Sequence, residues 1–147
     1  MLELLGRRAL VTGGSRGIGA AIAVALAENG ADVAISYERA AGRAQEIVRQ
    51  IESKGRRGLA IQADGADPAA NEQLVSRVAQ GLGGLDILVN NAGTIREGNL
   101  TGLPGYRFEP DGQIFLSVLA RLPEVTQPPL RAIYDRSRPY SYSFYVF

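Results

Sequence analysis

The stretch Thr12-Gly13-Gly14-Ser15-Arg16-Gly17-Ile18-Gly19 follows the short apolar run Ala9-Leu10-Val11 and leads straight into apolar residues at helical spacing. Few sequences constrain a fold as tightly. Glycine lets the backbone turn sharply and come close to a ligand, and a helix starting there aims unpaired N–H groups and its positive dipole end at that ligand. An apolar strand, a glycine-rich turn and an amphipathic helix, in that order, are the parts a dinucleotide pyrophosphate site needs.

The pattern continues downstream. Ile18, Ile22, Ala25 and Leu26 recur on one side of a first helix, which Asn29-Gly30 ends. Val33-Ala34-Ile35 reads as a second strand, and a second helix from Ala40 to Ser53 carries Ala44, Ile47, Val48 and Ile51 on one side. Leu59-Ala60-Ile61 is a third strand. Asp67-Pro68 opens a third helix, striped by Leu74, Val75, Val78 and Leu82 and closed between Gly81 and Gly84. Asp86 to Asn90 is a fourth strand. Strands alternating with helices over short links predict an α/β, doubly wound, Rossmann-like parallel sheet with helices on both faces, in strand order 3-2-1-4 with room for a fifth.

At 147 residues the chain is expected to be a single domain, 1–147, with a sizeable core. A net charge of +1 argues against nucleic acid as a partner. With no cysteine and no histidine, a disulfide framework, a thiolate nucleophile and a Cys/His metal site are excluded. The N-terminal residues carry no signal-peptide pattern and no apolar run approaches the ~20 residues of a membrane span, so the expectation is a cytoplasmic protein without a membrane partner.

The spacing Thr-Gly-x-x-x-Gly-x-Gly resembles the short-chain dehydrogenase/reductase family, in particular members of the 3-oxoacyl-carrier-protein reductase type. Ala63-Asp64 stands just past the third strand, where the family places an aspartate beside adenine. Asn90-Asn91-Ala92-Gly93 matches the family's Asn-Asn-Ala-Gly signature, with Ile87-Leu88-Val89 before it. The resemblance covers residues 7–93; residues 94–147 form a divergent tail, C-terminally incomplete relative to the family. It implies cofactor-binding roles for Gly13, Gly14, Ser15, Arg16, Gly17, Ile18, Gly19, Ala63, Asp64, Asn91, Ala92 and Gly93.

An NAD site of this kind ends the second strand with a carboxylate on the adenosine ribose, which would repel a 2′-phosphate. Here the strand end falls at Ser36 and Tyr37, neither acidic, while Arg16 and Arg39 are placed as charge-assisted donors. Glu38 is the contrary residue. The expected cofactor is therefore NADP rather than NAD, with Ser36, Tyr37 and Arg39 added to the site.

The resemblance implies hydride transfer to or from a small-molecule carbonyl or alcohol, with a Tyr-x-x-x-Lys pair as acid and base. This chain has one lysine, Lys54, and four residues before it stands Gln50, so the motif is absent and no catalytic residue is assigned. Tyr134-x-x-x-Arg138 is a poor stand-in, because guanidinium is bulky and planar and Asp135 opposes phenol ionisation. No asparagine occurs between Ile114 and Thr126 to serve a proton relay. Ser141 and Ser143 lie in Pro139–Phe147, which reads either as a fifth strand or as a frayed terminus; Ile114, Phe115, Val118, Leu119 and Leu122 have helical spacing. The expectation is an NADP(H)-dependent short-chain oxidoreductase in a truncated or inactive form. The alternatives are a non-catalytic NADP-binding module, or an interaction protein that uses its exposed sheet edge; a homo-oligomer is the other association open to it beside the small-molecule substrate.

Overall fold

The computed structural model describes residues 2–92, 131–134 and 143–146. Strand β1 (Arg8–Val11) leads into helix α1 (Gly17–Glu28), followed by β2 (Asp32–Tyr37), α2 (Ala41–Ser53), β3 (Gly58–Gln62), α3 (Pro68–Leu82) and β4 (Ile87–Asn90); β5 (Arg131–Tyr134) and β6 (Ser143–Val146) come from the tail. The sheet order is β3-β2-β1-β4-β6-β5. The first four strands are parallel, with Leu10 level with Ala34 on one side and Leu88 on the other.

Successive strand residues point to opposite faces, and this splits the core in two. Ala9, Val11, Val33, Ile35 and Val89 pack against Ala20, Ala23 and Ala27 of α1 and against Ala44, Ile47 and Ile51 of α2. Leu10, Ala34, Ile61 and Leu88 pack on the other face against Leu74, Val75, Val78 and Leu82 of α3. The predicted stripes of α2 and α3 are the buried ones. In α1 the buried residues are Gly19, Ala20, Ala23 and Ala27 instead of the larger aliphatics. Their short side chains bring the helix axis close to the sheet; Ile22 and Leu26 pack at the margin of the core, Ala25 is exposed and Ile18 is 56% exposed.

The tail departs from the expected parallel arrangement. Ser143–Val146 does form a strand beside β4, but it runs antiparallel, and β5 runs antiparallel to it on the outside. Only residues 135–142 separate the two tail strands; a parallel pair would need a crossover of a dozen or more residues, whereas an antiparallel pair closes over a short connection. The helical spacing at Ile114–Leu122 lies outside the described residues, as do Gly93, Arg138 and Ser141.

Candidate functional site

The carboxyl ends of β1, β2, β3 and β4 share one edge of the sheet, and the loops leaving them carry the residues singled out in the sequence. The β1 loop is held from both sides. Gly14 N–H donates to the Ser36 carbonyl at 3.0 Å and Gly13 N–H to Ser36 Oγ at 3.2 Å. From β4, the Asn91 side-chain amide donates to the carbonyls of Thr12 and Gly13, both at 3.1 Å. The Thr12 hydroxyl oxygen accepts from the amides of Asn91 and Ala92, both at 3.0 Å. Thr12 itself is 1% exposed, so these bonds form out of water.

The glycines are required by this closeness. Gly13 has φ +64°, where an L side chain is strained. A Cβ on Gly14 would lie 2.5 Å from Ile35 Cγ2, and one on Gly19 would overlap the Asn91 amide and the Gly13 carbonyl. The loop surface is therefore bare backbone at the start of α1. Arg16 occupies the N-cap with no side-chain cap bond, and the first turn has no acidic residue. The first-turn amides are thus open to an anion, and Ser15, Arg16, Gly17 and Ile18 stand at or near the surface around them.

At the end of β2, Ser36 is buried and its hydroxyl serves the loop. Tyr37 is half-buried, and its carbonyl accepts from Ala63 N–H at 3.0 Å, which ties the β2 end to the β3 end. Arg39 is 90% exposed and pairs with Glu38 at 3.1 Å, so the contrary carboxylate is engaged by the neighbouring cation. Asp64 is exposed; its Oδ1 accepts from Ala66 N–H at 2.9 Å and its other oxygen has no partner among the described residues. Gly65 faces Ala92, with 3.9 Å between a Cβ built there and the alanine methyl. Loop 63–66 and segment 91–92 thus come together next to the glycine loop, as the two flanks of a candidate trough.

Other sequence candidates are not brought to this trough. Lys54 caps the carboxyl end of α2 and pairs with Glu28 at 2.8 Å, at the end of α1, on the opposite edge of the sheet. The backbone of Tyr134 lies in β5, separated from β4 by β6, with Ser143 in register between Tyr134 and Asn90. One residue escaped the sequence reading: Asn71, 1% exposed, donates its side-chain amide to the Gly65 carbonyl at 3.0 Å. Its signal was positional, since it stands three and four residues before Leu74 and Val75, in phase with the apolar stripe.

The opposite edge is built from ion pairs. Arg8 binds Asp86 through Nε at 2.7 Å and Nη2 at 2.9 Å, and its Nη1 donates to the Gly83 carbonyl at 2.5 Å. The Arg8 side-chain hydrogen bond to Asp86 holds its carboxyl below the ordinary range, against desolvation by burial. Asp32 accepts from Arg56 Nε and from the amide and Nε of Arg57. Desolvation pushes the Asp32 carboxyl up, but the hydrogen bonds and charges of Arg57 and Arg56 outweigh it and leave the carboxyl low.

Parallel strands with a bare glycine loop opening a helix at their carboxyl edge define a protein of the doubly wound α/β class. The sequence model described as short chain dehydrogenase matches residues 7–109, and the chain belongs to this family. It is 44% identical over 107 residues to versicolorin reductase 1 of Aspergillus parasiticus, covering 73% of this chain and 41% of that protein. It is 45% identical over 91 residues to the 3-oxoacyl-[acyl-carrier-protein] reductase FabG of Staphylococcus aureus, covering 62% of this chain and 37% of that protein. Among solved structures, a short chain dehydrogenase from Burkholderia cenocepacia in complex with NADP is 59% identical, with a TM-score of 0.65, over 80% of this chain and 46% of that one. The chain thus spans less than half the length of these relatives. Among the described residues, no helix is long and apolar enough to cross a membrane, and no group of three or more His, Cys, Asp or Glu side chains is placed to hold a metal ion.

Proposed function

We propose that residues 1–147 form a single NADP(H)-binding domain of a short-chain oxidoreductase, acting in hydride transfer with a small carbonyl or alcohol. The observation that carries this is the uncapped, acid-free start of α1 lying on glycines whose Cβ space is already filled. The first-turn amides of Ser15, Gly17, Ile18 and Gly19 would hold the pyrophosphate against the bare backbone of Gly13 and Gly14, whose own amides are bound to Ser36. The free oxygen of Asp64, with Ala63, would face adenine, and Asn91, Ala92 and Gly93 would border the adenosine. Arg16 and Arg39 would take the 2′-phosphate. A dianionic phosphate competes with Glu38 for Arg39, and the end of β2 offers no carboxylate to repel it. The NADP bound to the Burkholderia relative supports the same choice.

When bound, NADP(H) supplies or accepts the hydride. The chain's own part is to fix the adenosine and pyrophosphate half, with Thr12 and Asn91 keeping the glycine loop in one conformation before the cofactor arrives. Lys54 does not assist a phenol in this site, because it is paired with Glu28 at the far edge. Titrating the chain with NADPH and with NADH, followed by reduced-cofactor fluorescence, tests the proposal. Saturable binding with NADPH the tighter ligand is expected; no binding of either contradicts it.

A further inference from the structure

Helix α3 buries Asn71, Leu74, Val75, Val78, Ala79 and Leu82 along one side, a stripe that is apolar except at its first position. Asn71 is 1% exposed, and its Oδ1 is buried without a hydrogen-bond partner among the described residues. Leaving an amide oxygen unpaired in a core is unfavourable, and an apolar residue at the head of the stripe would avoid it. The asparagine therefore calls for a role, and its other atom points to one. Nδ2 donates at 3.0 Å to the carbonyl of Gly65, six residues earlier, in the loop after β3.

Beyond the Ala63 amide, which anchors the start of the loop to the Tyr37 carbonyl, its remaining bonds are short-range, with Asp64 holding the amides of Ala66 and Asp67, and Asp67 holding that of Ala69. They shape the turn without fixing where its tip sits. The bond from Asn71 ties the tip to the core-facing side of α3. The tip residue, Gly65, is the one that faces Ala92 across the trough.

We infer that Asn71 is a positioning residue for the adenosine end of the site: it sets the Gly65 peptide, and so the separation between loop 63–66 and segment 91–92. This rests on the nucleotide-binding reading above. The unpaired oxygen is the stability given up for that placement.

Asn71→Leu removes both the latch and the unpaired oxygen. It is expected to leave the melting temperature unchanged or raised while weakening NADPH by roughly three- to tenfold, the loss of one hydrogen bond. Adenosine 2′,5′-bisphosphate should weaken by the same factor, and inorganic pyrophosphate, which needs only the glycine loop, should bind as before. Asn71→Ala provides the same comparison should leucine overfill the position. Unchanged NADPH affinity in the folded variants overturns the inference while leaving the nucleotide site standing, and so does an equal loss for pyrophosphate and the adenosine ligand. Failure of the unsubstituted chain to bind NADPH removes the nucleotide-binding reading, and the inference with it.

Discussion

At the amino end of the four parallel strands Arg8, Asp32 and Asp86 are paired, whereas at the carboxyl end backbone amides stand open and the nearby arginines reach into solvent. Asp32 accepts three hydrogen bonds and Asp86 engages Arg8 through two side-chain nitrogens. Across the sheet, α1 begins without a side-chain cap and, among the described residues, Arg39 is held only by an exposed carboxylate. The same strands run through both ends, so the difference lies in the loops. One end closes the fold, and the other is preorganised by Thr12, Ser36 and Asn91 yet left unsatisfied toward a ligand. Stability and binding should therefore separate under mutation.

The strongest break of that comparison is Gly19→Ala, which forces a methyl into the Asn91 amide and the Gly13 carbonyl. Overpacking of about 2–3 kcal/mol should weaken NADPH by roughly 30- to 150-fold in fluorescence titrations. Asp32→Ala strikes the other end. It strands Arg56 and Arg57, and chemical denaturation should report a loss of about 2 kcal/mol, with NADPH affinity unchanged in the folded protein. Arg16→Ala should weaken NADPH by about tenfold and leave NADH unaffected, as expected for one charge-assisted contact to a phosphate.

The smallest effect is a pH dependence. Asp86 titrates below its ordinary value when folded, chiefly through the Arg8 hydrogen bond. Its contribution to stability is complete above the unfolded carboxyl pKa of about 4 and is lost as pH falls through the lower folded value. Thermal melts from pH 7 to pH 3 should show this acid limb, and Asp86→Asn should flatten part of it. Asp32 is also held low and adds to the same limb.

Much of this was legible in the sequence because it rests on short-range pattern. The stripes of α2 and α3, the Asp67-Pro68 start and the order of the four parallel strands follow from periodicity and capping. The buried side of α1 departs from the periodic reading because hydrophobicity favours Ile18, Ile22 and Leu26, while this helix, unlike α2 and α3, turns Gly19 and the alanines to the sheet. Orientation of the tail strand was not legible either, since alternation of aromatic and serine residues marks a strand without giving its direction. In the site, glycine spacing located the loop, but the use of Ser36 as an acceptor for Gly13 depends on a contact 23 residues apart. Asn71 was missed because one polar residue in phase with an apolar stripe reads as a helix end until its burial is known.

The most direct measurement is amide hydrogen exchange of the whole chain with and without NADPH. Protection is expected at Gly13–Gly19 and Ala63–Gly65, with the amides around Arg8, Asp32 and Asp86 unchanged. Protection centred on that ion-paired edge, or none at the glycine loop, would contradict the assignment of the carboxyl edge as the cofactor site.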